Sequence, residues 1–149
     1  MDKIIFTGTS LNKLSQEDLV NISRYLLFYS KEIEQYNGHF NWKDKNFENF
    51  LKIKHIKGKG NKKTTGFNYF WFDTYKDGGT NDIAFHFLRH VRNSFAHGKI
   101  YKVARNKKLY YEMQDLKKNR NHKHIQTMQG VIETEYLWEM IELIYKTKI

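Results

Sequence analysis

The chain has 149 residues, 26 lysines and arginines against 16 acidic residues, and a formal charge of +10. It contains no cysteine and no proline, which excludes disulfide frameworks, thiolate zinc sites and cysteine nucleophiles and leaves nothing that forces a helix to kink. A composition that is 40% hydrophobic and 16% aromatic suits one folded domain spanning residues 1–149, and the basic surface attracts polyanions, of which nucleic acid is the commonest.

Neither the apolar core of a signal peptide nor an 18-residue apolar run is present, so the expectation is a cytoplasmic protein without a membrane partner. Residues 1–13 read as a lead-in. Ser15-Gln16-Glu17-Asp18 is a helix start, with a hydroxyl cap and acids in the first turn. Leu19, Ile22, Leu26, Tyr29 and Ile33 follow at helical spacing, with Val20 and Leu27 widening an apolar stripe expected to be core. The helix should stop near Asn37-Gly38. Residues 40–55 carry a weaker helical pattern, with Phe47, Phe50 and Leu51 on one side and Lys43, Lys45, Lys52 and Lys54 flanking it.

The stretch 57–66 holds three glycines and four lysines and reads as a loop, without P-loop spacing. Its Lys59, Lys62 and Lys63 are either phosphate-backbone contacts or a solvated surface. Phe67 to Tyr75 is dense in aromatics and reads as a strand or a short buried helix, core rather than a base-stacking platform. Asp77-Gly78-Gly79 is a turn, and Thr80 or Asn81 should cap the next helix.

That helix holds the densest group of chemically capable side chains. Ala84, Phe87, Leu88, Val91 and Phe95 share its apolar face. Asp82, His86, Arg89, Asn93 and His97 form a stripe on the opposite face, with Arg92 at its flank. Gly98 stops the helix, placing His97 in the last turn, where the dipole favours a cationic imidazole. Residues 99–113 then read as a small β-hairpin, and Asp115 to His124 as a polar, basic loop. A last helix should run from about Ile125 or Gly130 to Lys146, with Leu137, Met140, Ile141, Ile144 and Tyr145 as its stripe. The expected fold is mainly α, a bundle of four to five helices with one hairpin after the third.

No metal or cofactor is expected. His86 and His90 have the i, i+4 spacing of a helical pair, but Phe87 stands where a zincin has its glutamate. His122 and His124 are loop residues separated by a lysine.

The segment Arg92-Asn93-Ser94-Phe95-Ala96-His97 fits arginine, a polar residue, three residues, then histidine. It resembles the signature of the HEPN superfamily (higher eukaryotes and prokaryotes nucleotide-binding domains), in which this motif ends a bundle helix. The match in residues covers about Phe87 to Tyr101; elsewhere the likeness lies in helix order and size. The resemblance implies a HEPN-like helical bundle and metal-independent RNA cleavage by a homodimer whose two motifs meet in a composite site. Arg92, Asn93 and His97 would be its catalytic residues, with Arg89, His86 and His90 extending the substrate surface. It further implies a toxin or anti-phage effector with an antitoxin or regulatory partner. Some toxin members carry a modifiable tyrosine two residues after the histidine, whereas this chain has Lys99 there. The alternatives are a non-catalytic HEPN-like module that binds RNA, a nucleotide or a protein, and a structural dimer whose motif face merely packs.

Overall fold

Ser15 starts the first helix as its residue type demands. Its hydroxyl accepts from the Asp18 backbone N–H at 3.1 Å, and the Asp18 carboxylate returns the bond to the Ser15 backbone N–H at 2.8 Å. This computed structural model describes residues 14–34, 40–54, 68–73, 83–118 and 120–148. Its elements are α1 (Gln16–Phe28), extended by a π-helical turn Tyr29–Ile33, α2 (Lys45–Ile53), β1 (Tyr69–Phe72), α3 (Ile83–Ala96), β2 (Ile100–Arg105), β3 (Lys108–Lys118), β4 (His124–Glu133) and α4 (Thr134–Tyr145).

The expected mainly α bundle is not the fold. Among the described residues, four helices accompany a four-stranded antiparallel sheet in the order β1-β4-β3-β2. Phe70, Phe72, Tyr111, Met113, Met128 and Ile132 on one sheet face join residues of all four helices in the main core. Val103, Tyr110 and Val131, with Tyr69, form a smaller cluster elsewhere on the sheet.

Three local readings account for the difference. Residues 124–133 form β4, not the start of the last helix; Ile125, Met128, Val131 and Ile132 imitate helical spacing, but α4 begins only at Thr134. Residues 115–118 belong to β3, which runs well past the expected hairpin. The aromatic stretch supplies β1, and its Phe70, Trp71 and Phe72 are buried.

Gly130 explains why β4 tolerates a glycine. It stands opposite Phe70 in the β1–β4 register. A Cβ at that position would lie 2.0 Å from the Phe70 ring, so the ring occupies the space a side chain would need.

The α1 stripe is also rotated from expectation. Asp18, Ile22, Tyr25, Tyr29 and Ile33 are buried, while Leu19, Val20 and Leu27 are exposed. Asp18, a carboxylate, thus sits within the buried face. It accepts from Lys102 Nζ at 2.7 Å, from the Tyr111 hydroxyl and from the Ser15 hydroxyl at 2.8 Å. Burial raises the cost of its charge, but the Lys102, Tyr111 and Ser15 bonds together outweigh that and hold its pKa at about 2. The Tyr111 hydroxyl is pushed up, chiefly by burial and then by its bond to Asp18.

Gly98 ends α3 as read, in a left-handed conformation at φ 66° with Lys99 N–H returning to Ser94 O at 2.8 Å. Asp44 caps α2 by accepting from the Asn46 N–H at 2.8 Å. The expected stop at Asn37-Gly38, the 57–66 loop, the turn at Asp77 and the caps Thr80 and Asn81 lie outside the described residues. No helix among the described residues is long and apolar enough to cross a membrane.

Two outcomes are expected from this packing. Gly130→Ala should lower the unfolding free energy by about 1–3 kcal/mol through overpacking against Phe70, read by denaturant unfolding. The depressed Asp18 pKa makes its contribution, on the order of 2 kcal/mol, fully present above about pH 4 and lost as pH falls towards 2. Acid unfolding followed by circular dichroism should therefore flatten in this window in Asp18→Asn.

Candidate functional site

Helix α3 is set against the sheet on one side and α1 on the other. Its apolar face does as its pattern demands: Ala84, Phe87, Leu88, Val91 and Phe95 are buried, the Tyr25 hydroxyl donates to Leu88 O, and the Tyr25 and Phe95 rings meet edge to face at 5.6 Å. The opposite, polar side is not a solvated stripe. His86 and His90 are both fully buried, at 0% exposure, and Arg89 and Asn93 are half-buried.

The cause is a carboxylate from the sheet. Tyr111, Met113 and Asp115 alternate along β3, so Asp115 points to the same side as two core residues. There Asp115 Oδ2 lies 2.8 Å from His90 Nδ1 and accepts from Asn93 Nδ2 at 2.9 Å. His90 Nε2 lies 2.8 Å from the backbone carbonyl of Asp73, just after β1. Asp115 can only accept, so Nδ1 of the ring donates to it, while Nε2 stands between an acceptor, the Asp73 carbonyl, and a donor, the Arg89 guanidinium. Arg89 Nη2 is 3.2 Å from His86 Nδ1 and 3.2 Å from His90 Nε2, and since a guanidinium only donates, His86 Nδ1 accepts from it.

The chain of contacts continues towards the C-terminal end of α3. Arg92 Nη1 donates to Asn93 Oδ1 at 3.1 Å, so the two sides of the Asn93 amide join Arg92 to Asp115. Ser94, fully buried, donates to Lys99 O at 2.7 Å and braces the turn after Gly98. His97 follows one turn after Asn93, with its N–H on Asn93 O at 3.0 Å and its side chain exposed.

Of the residues singled out by sequence, Arg92 and Asn93 lie in the last turn and a half of α3 and His97 in the turn directly after it. Arg89, His86 and His90 lie earlier on the same helix, but burial withdraws the two histidines from any direct substrate contact. They pack and pair within the domain. Lys59, Lys62 and Lys63 lie outside the described residues. Sequence reasoning missed Asp115, read as the first residue of a loop, and the Asp73 carbonyl. The period-two run Tyr111, Met113, Asp115 was the signal that could have found Asp115. Among the described residues no group of three or more histidines and acids is arranged to hold a metal ion.

Asp115→Ala should cost about 2–5 kcal/mol of stability in urea unfolding, because it leaves two donors, His90 Nδ1 and Asn93 Nδ2, without their acceptor. A double-mutant cycle of Asp115→Asn with Asn93→Ala should return a coupling energy of about 1 kcal/mol, whereas additive effects would mean that the 2.9 Å contact contributes nothing. No family model, curated protein or solved structure matches this chain.

Proposed function

We infer that the protein is a metal-independent endoribonuclease of HEPN type, acting as a homodimer, with its site at the C-terminal end of α3. The likeness to that superfamily rests on the motif Arg92-Asn93 to His97 and not on the all-helical bundle. One observation carries the reading. A cation is tethered through Asn93 to a buried carboxylate, at 3.1 and 2.9 Å, while the imidazole one turn on stands exposed.

The chemistry needs no more than these groups. RNA carries its own nucleophile, the 2′-hydroxyl. His97 takes the proton from that hydroxyl as its oxygen bonds to phosphorus. The bond from phosphorus to the 5′ oxygen breaks, and the departing oxygen takes a proton from the His97 of a second copy. The products are a 2′,3′-cyclic phosphate and a 5′-hydroxyl. Arg92 retains donors beyond the one engaged with Asn93, and these favour the charge that builds on the non-bridging oxygens. Asn93 positions the guanidinium. A toxin or anti-phage effector in the cytoplasm, restrained by an antitoxin or regulatory partner, is the biological role that goes with this activity.

A second reading, a non-catalytic RNA-binding module, is favoured by the His97 ring itself. Among the described residues nothing hydrogen-bonds to it, so one copy alone does not orient a proton acceptor. The two readings part in one assay. With a chelator present, the nuclease should convert RNA to fragments ending in 2′,3′-cyclic phosphate. His97→Ala and Arg92→Ala should each lower the rate by about 10²–10⁴-fold while keeping the wild-type melting temperature. Intact RNA after incubation with a folded dimer would rule out the nuclease and leave the binding module.

A further inference from the structure

The sheet is uneven in length. β1 pairs with β4 only as far as Phe72 opposite Met128, and β2 pairs with β3 only as far as Ile100 opposite Met113. Beyond Asp115 and Met128, β3 and β4 continue alone, pairing Leu116 with Gln126, Lys117 with Ile125 and Lys118 with His124. No described strand flanks this two-stranded ribbon. A register shift between Asp115 and Leu116 marks its base, immediately after the residue that holds Asn93. Such irregularities bend a strand and re-aim the residues beyond them.

The ribbon has little core of its own. Every described residue from Lys117 to Ile125 is exposed. Lys117, Lys118, Arg120 and Lys123 place four cations here, His122 and His124 add two imidazoles, and no acid occurs between Asp115 and Glu133. Four of the sixteen acids sit together elsewhere. Glu17, Glu135, Glu139 and Glu142 line a hollow of about 610 Å³ between α1 and α4. A projecting, acid-free ribbon concentrates positive potential where a polyanion can reach it.

Its position relative to α3 is also set. Gln114 N–H donates to Lys99 O at 3.1 Å, while the next residue, Asp115, meets Asn93 and His90. As β3 advances to Asp115, its contacts on α3 therefore move back towards the helix N-terminus. Lys118 lies about 10 Å along the strand from Asp115, and His97 about 6 Å along the helix from Asn93. Summed along the two elements, Lys118 is about 16 Å from His97, about five nucleotides of a stacked strand at ~3.4 Å each.

We propose that the β3–β4 ribbon, residues 116–118 and 120–126, is an RNA-binding arm. It grips the phosphodiester backbone of a single strand whose continuation reaches the Arg92–His97 end of α3. The inference rests on the reading of that end as an RNA site, but not on cleavage there.

The test is fluorescence anisotropy with a labelled 12-nucleotide RNA made 2′-O-methyl throughout, which cannot be cleaved by its own 2′-oxygen. Replacing Lys117, Lys118, Arg120 and Lys123 together by glutamine should weaken binding at 100 mM salt by at least ~10-fold. It should also reduce the slope of log affinity against log salt by about 3, at ~0.7 per phosphate contact. A control with the exposed Lys31, Lys43, Lys45 and Lys107 changed to glutamine removes the same charge and should leave the slope near wild type. Arg120→Glu alone, at an exposed turn position, should weaken binding with an unchanged melting temperature, which guards against misfolding of the quadruple variant. Equal slopes for arm variant, control and wild type would overturn the arm, as would wild-type protein that does not bind this RNA. A protein that binds through the arm but leaves ordinary RNA intact would keep this inference and lose the nuclease.

Discussion

A carboxylate taken out of water must find its hydrogen-bond donors inside the protein, and Asp115 imposes that demand on the seam between β3 and α3. Its Oδ2 is met by His90 and Asn93, two groups three residues apart on one side of the helix. Once both contacts are made, α3 can neither rotate nor slide without stranding a buried charge. The same contacts decide which polar residues of the helix remain available. His90 is consumed by pairing, Asn93 is fixed with its oxygen turned to Arg92, and His97, beyond the reach of the sheet, is left to solvent. The candidate site is thus what remains of α3 after the buried carboxylate has been satisfied.

Asp18 obeys the same rule at the other side of the core. It arrives as the acidic member of a capping box and ends as the partner of Lys102 and Tyr111, joining the start of α1 to β2 and β3. Trp138 on α4 donates to the Tyr111 hydroxyl at 3.2 Å, so the last helix enters the same network. Trp138 also stacks on Phe95, inside the motif segment, with ring centroids 5.9 Å apart. The motif end of α3 is consequently braced from three directions: by Asp115 through Asn93, by Tyr25 and by Trp138. A site assembled from groups on a rigid helix with fixed supports suits chemistry that depends on position more than on reactive cofactors.

Local features were legible where the physics is local. The Ser15 cap, the apolar face of α3 and the Gly98 stop all depend on residues within a few positions of one another, and each stands where its pattern placed it; the helical pattern of residues 40–55 is realised over Lys45–Ile53. The extent of β3 and the nature of residues 124–133 were not legible. Their apolar spacing serves a helix as well as a strand, and the deciding partners, Phe70 for Gly130 and the paired strand for Asp115 to Lys118, are far away in sequence. The outward turn of Leu19, Val20 and Leu27 has the same origin: a capping carboxylate proved more deeply buried than three aliphatic side chains because Lys102 and Tyr111 were waiting for it.

By itself the sequence determined the chemistry on offer: a basic, cysteine-free chain with Arg92, Asn93 and His97 at the end of an amphipathic helix closed by Gly98. Covalent identity and 3.6-residue periodicity suffice for that. Only the tertiary structure decided which of the polar groups face solvent, since this depends on what packs against the second side of α3. A strand bearing a carboxylate packs there, so His86 and His90 became interior, Asn93 became a tether, and the cations beyond Asp115 became a projecting ribbon instead of a loop.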